Sequence, residues 1–173
     1  MNDLPLVSPV PKLTWSAWLA TGAGFGFSPF APGTVGTLWG IPLVLATRWG
    51  LEWLGVRGGG ALAAEIVLCL VWIAVAVPIC QGGEDFFRKK DDGRICADEF
   101  LTFPLVMLGL PATPATLATG FLLHRCFDIL KPPPARGWQT IPGGRGIVID
   151  DVVSSLYALA AHWALWQLLA RGL

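Results

Sequence analysis

Apolar and polar positions divide this chain into long uncharged windows separated by short charged stretches. No charged residue occurs between Lys12 and Arg48, and windows 66–83, 100–123 and 152–170 are equally free of charge. A hydrocarbon core of about 30 Å takes roughly 20 apolar residues of helix. Windows of this length and number exceed what one soluble core can bury, and they predict an all-α, polytopic membrane bundle forming a single domain over residues 1–173. Residues 1–20 read as an irregular lead-in, since they have neither a basic start nor an apolar run ending at a small-residue cleavage site.

The stretch "GAGFGFSPFAPGTVG" (22–36) is rich in Gly and Pro, which disfavour helix interiors, so the first helix is expected from near Thr37 to about Gly55. Arg48 and Glu52, four apart, are spaced to pair on one face. Residues 61–82 form the cleanest span, with Glu65 near one end and Pro78 near the other. A polar stretch carrying Arg88, Lys89, Lys90 and Arg94 follows, and a second basic loop carries Arg125, Lys131, Arg136 and Arg145. The positive-inside rule puts both loops in the cytoplasm.

One full crossing over 100–123 would set these loops on opposite faces, so an even number of crossings must separate them. Pro104, Gly109, Pro111 and Pro114 break the segment into a hairpin with arms at about 100–110 and 114–130. The first arm reaches only about 17 Å, so its turn must be packed within protein or sit at a thinned interface. With a last helix over about 147–170, the chain has about five helical segments, and the two basic loops share one face.

Composition agrees: 54% of residues are hydrophobic, 14% are charged and the formal net charge is +0. That balance offers nucleic acid no partner. Cys69, Cys80, Cys96 and Cys126 show no CxxC spacing and read as buried thiols rather than a disulfide framework or zinc site.

The acids then stand out. Glu84 with Asp85, Asp98 with Glu99, Asp128, and Asp150 with Asp151 all fall near predicted helix ends on one membrane face. An aspartate at mid-bilayer costs roughly 2.5–3.5 kcal/mol, against about 0.3–0.6 returned by each large apolar residue. Asp150 and Asp151 read either as a helix N-terminal cap or as part of a site. Carboxylates held together require protons, cations or a metal, and oxygen-only ligands suit Mg2+.

"RCFDILKPPP" spaces Arg125, Asp128 and Lys131 three apart, either as an ion-pair ladder or with both cations facing phosphate. The loop "GGRGI", with Arg145, offers backbone amides suited to an anion at a helix start. "GAGFGFSP" is a tight turn rather than a dinucleotide fingerprint, since no strand precedes it. His124 reads as an interface residue or a proton carrier, and His162 as a hydrogen-bonding partner for another helix.

Four motifs in order, "GFGFSPFAPGTVGTL", "DDGRICADEF", "HRCFDILKPPP" and "GGRGIVIDDVV", resemble the phosphatidylglycerophosphatase A family over residues 19–160. The resemblance implies a Mg2+-dependent phosphomonoesterase that converts phosphatidylglycerophosphate to phosphatidylglycerol, in phospholipid biosynthesis at the cytoplasmic side of a bacterial inner membrane. It implies Asp98, Glu99, Asp128, Asp150 and Asp151 as the catalytic and metal-binding acids, with Glu84 a further metal candidate. Arg125, Lys131 and Arg145 are implied as phosphate partners, and the loop of Pro29, Pro32, Gly33 and Thr34 as closing over the head group. Leu101, Thr102, Ser154 and Ser155 depart from the family's small residues.

Other phosphatase chemistries lack their signatures: no cysteine has an arginine six residues later, there is no Arg-Pro dipeptide, and "DEFLT" lacks a second aspartate. A metal-assisted route is expected, with water or a carboxylate attacking. The competing class is an ion- or proton-coupled transporter, whose acids would recur near mid-helix.

Overall fold

The computed structural model describes residues 13–138 and 140–171. Among these every regular element is helical: α1 (Trp15–Ala20), α2 (Pro32–Thr37), α3 (Gly40–Trp53), α4 (Gly59–Phe87), α5 (Ala97–Val106), α6 (Pro114–Leu130), α7 (Ala135–Trp138) and α8 (Gly144–Ala170), with a 3-10 turn at Phe25–Phe27. Two helices, α4 and α8, are long and apolar enough to cross a membrane. α4 leaves Leu62, Ile66, Val67, Leu70 and Val71 on its outer surface, the pattern expected of a lipid-facing span.

Short α1, α2 and α7 add to the expected five segments. α1 lies in the stretch expected to be irregular, while residues 1–12 fall outside the described part. α2 lies inside the Gly/Pro-rich tract expected to lack helix: Pro32 occupies its first turn, where a missing N–H costs nothing and φ is already helical.

α5 is the hub. It packs against α3, α4, α6 and α8, with α2 and α1 over its start. Phe103, Val106 and Met107 are fully buried and join Val44, Leu117 and Ala158 in one core cluster, while Ala97 and Leu101 join Ala76, Cys80, Ile147 and Val148 in another. Because neighbouring helices cover α5, its length of 10 residues leaves no backbone end in lipid.

The hairpin forms as the sequence predicts. α5 stops after Pro104, Gly109 takes positive φ (69°), and Thr113 and Thr116 form a capping box with Pro114 in the first turn of α6. Met107 and Leu110 are buried in the turn while Gly109, Pro111 and Thr113 are exposed, and side chains satisfy five of its carbonyls. Arg48 donates to Met107 O and Leu110 O, both at 2.6 Å, Trp163 Nε1 donates to Leu108 O at 2.9 Å, His162 Nδ1 to Val106 O at 3.3 Å, and Thr116 Oγ1 to Pro111 O. Arg48 pairs with Glu65 of α4 at 3.0 Å rather than with Glu52, because the buried turn recruits the guanidinium inward. His162 thus bridges α8 and α5.

All four cysteines are free, with Cys69, Cys80 and Cys96 buried and Cys126 exposed. α8 starts at Gly144, which moves Asp150 and Asp151 beyond its first turn. They are not N-terminal caps.

Candidate active site

At the end of the bundle opposite the hairpin turn, the starts of α2 and α5, the end of α6 and the second turn of α8 enclose an open cleft of about 360 Å³, lined by Asp98, Glu99, Arg125, Asp128, Lys131 and Asp151. Each side chain arrives for a local reason. Asp98 and Glu99 lie in the first turn of α5, where the helix dipole favours negative charge. Arg125 and Asp128 share a face of α6. Lys131 ends that helix in a left-handed conformation (φ 42°) with its N–H on Phe127 O at 2.8 Å, and Pro132 forbids continuation.

The ion pairs interlock. Arg125 Nη1 sits 2.7 Å from both Glu99 Oε2 and Asp128 Oδ2. Lys131 Nζ lies 2.6 Å from Asp150 Oδ2 and 3.8 Å from Asp128 Oδ1. The ladder read from the sequence therefore exists, and it is joined to two other helices. Thr37, absent from the expected site, donates its hydroxyl to Glu99 and lies 3.4 Å from Arg125 Nη1. Its signal was its place at the end of the first motif. Gly33 backs onto the Glu99 carboxylate so closely that a Cβ would collide with it.

Five buried carboxylates (Asp98, Glu99, Asp128, Asp150, Asp151) face two cations, and Asp98 and Asp151 each feel the charges of the others. Asp98 Oδ1, Asp151 Oδ2 and Arg125 Nε are buried with no hydrogen-bond partner among the described residues.

Other expected residues fall elsewhere. Pro32 and Gly33 line the cleft, while Thr34, Arg145 and Glu84 lie outside its lining. Arg145 is exposed, and Glu84 keeps one buried, partnerless oxygen on α4. Three of the five "GGRGI" amides are engaged within the protein. Gly144 N–H donates to Gln81 Oε1 at 2.9 Å, and Gly146 and Ile147 donate to Gly143 O at 2.9 and 3.4 Å. His124 is buried at the interface, with its ring edge-on to Phe103. The loop before α5 is fixed by Arg94, which donates to Asp92 Oδ1 at 2.7 Å and lies 3.9 Å over the Phe87 ring. The guanidinium holds the Asp92 carboxyl below the usual carboxylate range.

Among the described residues no three His, Cys, Asp or Glu side chains converge ready-made on a metal position. The donor set still fits a hard divalent cation, which prefers carboxylate oxygens. Asp98 Oδ1 and Asp151 Oδ2 are buried acceptors of that kind with nothing bonded to them.

The sequence profile of the family described as "Phosphatidylglycerophosphatase A" matches residues 18–166. The chain is 34% identical over 158 residues to "Phosphatidylglycerophosphatase A" of Escherichia coli (strain K12), covering 85% of this chain and 84% of that protein. It is 33% identical to the protein of that name from Haemophilus influenzae, over 87% and 89% of the two chains. It is also 30% identical to a "Putative phosphatidylinositol-3-phosphatase" of Bacteroides thetaiotaomicron, over 85% and 93%. No solved structure matches. Profile and relatives span both walls of the acidic cleft, and the chain belongs to the phosphatidylglycerophosphatase A family.

Proposed function

We propose that this protein is a Mg2+-dependent lipid phosphatase that hydrolyses phosphatidylglycerophosphate to phosphatidylglycerol and phosphate in phospholipid biosynthesis. The names of two relatives point to this substrate, and the third names a different lipid head group that also bears a phosphate monoester. The observation that carries the reading is chemical complementarity. A buried donor without a partner, Arg125 Nε, and two buried acceptors without partners, Asp98 Oδ1 and Asp151 Oδ2, belong to residues of one cleft. A phosphate ester with a divalent cation supplies the missing partners of both kinds.

Arg125, held by Glu99 and Asp128, binds phosphate oxygens through its free Nε, and Lys131 adds a point charge on the same side. Asp98 and Asp151, with Asp128 beside them, would hold Mg2+, which supplies charge neutralisation at the phosphoryl group and acidifies water. Asp98 or Asp151 takes the proton of an attacking water as its oxygen bonds to phosphorus. The bond from phosphorus to the glycerol oxygen breaks, and that oxygen takes the proton back from the protonated carboxyl as it leaves. The basic residues at the cleft end support a cytoplasmic orientation in a bacterial inner membrane. Against an ion path, the acids at the opposite end among the described residues are Glu65, closed by Arg48, and the exposed Glu52.

The test is phosphate release by the detergent-purified protein from phosphatidylglycerophosphate and from phosphatidylinositol 3-phosphate, with Mg2+ and with chelator. Release from the first lipid that stops with chelator and returns with Mg2+ is expected. Folded protein that releases nothing from it would overturn the substrate, and release that ignores the chelator would overturn the metal.

A further inference from the structure

Behind the carboxylates lies a second tier of polar side chains that the chemistry above does not use. Thr102 follows Asp98 by four residues, Ser154 and Ser155 follow Asp150 and Asp151 by four, and His124 precedes Asp128 by four. On α5, α6 and α8 alike, the tier therefore sits one helical turn, about 6 Å, further from the cleft. All four side chains are fully buried. Thr102 Oγ1 donates to Asp98 O at 2.7 Å and lies 3.5 Å from His124 Nε2. His124 Nδ1, Ser154 Oγ and Ser155 Oγ have no partner among the described residues.

Three partnerless polar atoms one turn behind the cleft, two on α8 and one on α6, are costly, and such groups in native proteins mark bound water or an ion. In the next turn the matching residues, Ala158 on α8 and Gly120 on α6, carry no side-chain polar atom, and the His162 ring beside Gly120 is hydrogen-bonded to Val106 O. The tier has no carboxylate to hold a cation. Its atoms are hydroxyl groups and an imidazole nitrogen, which suit a small neutral ligand that both donates and accepts.

We propose that this tier binds water, which hydrogen-bonds Ser154, Ser155 and His124 and orients the partnerless oxygens of Asp98 and Asp151 in front of it. The proposal rests on the reading of those carboxylates as the phosphatase site. Ser154, Ser155 and His124 are thereby positioning residues: they touch neither lipid nor metal and act through water on groups that do.

The test uses the whole protein in detergent. X-ray-generated hydroxyl radicals modify side chains beside bound water, and mass spectrometry reads the modification without any need for turnover. Modification of His124 or Phe103, both fully buried, is expected, and it falls in the Ser154→Ala/Ser155→Ala double variant. In that variant kcat for phosphate release drops on the order of tenfold, the scale of lost supporting hydrogen bonds, while KM stays within about twofold and the melting temperature does not rise. His124 and Phe103 left unmodified in the wild type, or a double variant with wild-type kcat, would overturn the proposal. Dry, partnerless hydroxyls would give the opposite signature, a higher melting temperature and unchanged kcat. A wild-type protein that shows the labelling but releases no phosphate would refute the function and leave the water standing.

Discussion

The two ends of this bundle both bury charge, and they treat it in opposite ways. At the hairpin end, Arg48 closes on Glu65 and on two backbone carbonyls, and three further turn carbonyls find His162, Trp163 and Thr116. At the cleft end, carboxylates outnumber cations, and Asp98, Asp151 and Arg125 keep polar atoms without partners among the described residues. The same helix, α5, runs from one end to the other. Satisfied charge marks a joint that holds the fold, whereas unsatisfied charge marks a place reserved for a ligand. The contrast also explains why a helix of 10 residues suffices: clamped at its far end, it carries Asp98 and Glu99 on a rigid element.

The sharpest way to break this contrast is Asp98→Asn, which removes charge from the crowded end. Turnover should fall by about two to four orders of magnitude, as for loss of a proton-transferring group, while thermal stability holds or rises because repulsion is relieved. A fall in stability matching the loss of turnover would make Asp98 structural.

Arg48→Ala attacks the other end. Removing one member of this partly buried pair leaves Glu65 and two carbonyls unpaired and should cost about 1–3 kcal/mol of stability, read by denaturation in detergent. The folded fraction should keep its turnover per molecule. Smaller again is Arg125→Lys, which keeps the charge but loses the planar guanidinium that bridges Glu99 and Asp128. A drop of about tenfold in kcat/KM is expected.

The smallest effect belongs to the loop clasp of Asp92 and Arg94. The Asp92 carboxyl is held below its ordinary range, so the clasp stabilises the folded state above that range and loses this contribution as pH falls through it. Arg94 is 44% exposed and solvent screens the pair, so Asp92→Asn should cost less than about 1 kcal/mol, and the difference from wild type should vanish in acid.

Much of this contrast was legible in the sequence, where the reason was local. Pro104, Gly109, Pro111 and Pro114 dictated the hairpin, whose turn is half-exposed, with its carbonyls at 106, 107, 108, 110 and 111 paired by side chains. The acids stood out because they interrupt apolar windows. What escaped was set by distant partners. Spacing matches Arg48 to Glu52 on its own helix, but the carbonyls at 107 and 110 pull it toward α4 and α5. The start of α8 was placed late because "GGRGI" looks like a loop. It winds into helix because glycine at 144 lets the chain lie directly against α4, with Val77 O where a Cβ would stand. Thr37 joined the site only once α2 folded over α5, a contact 62 residues away in sequence.

The most direct measurement is phosphate release from phosphatidylglycerophosphate by Asp151→Asn beside wild type, each normalised to folded protein by its unfolding curve. The account predicts a folded variant, no less stable than wild type, that releases almost no phosphate. A folded Asp151→Asn with full release would contradict it, and would return the crowded carboxylates of the cleft to the status of the satisfied pair at the other end.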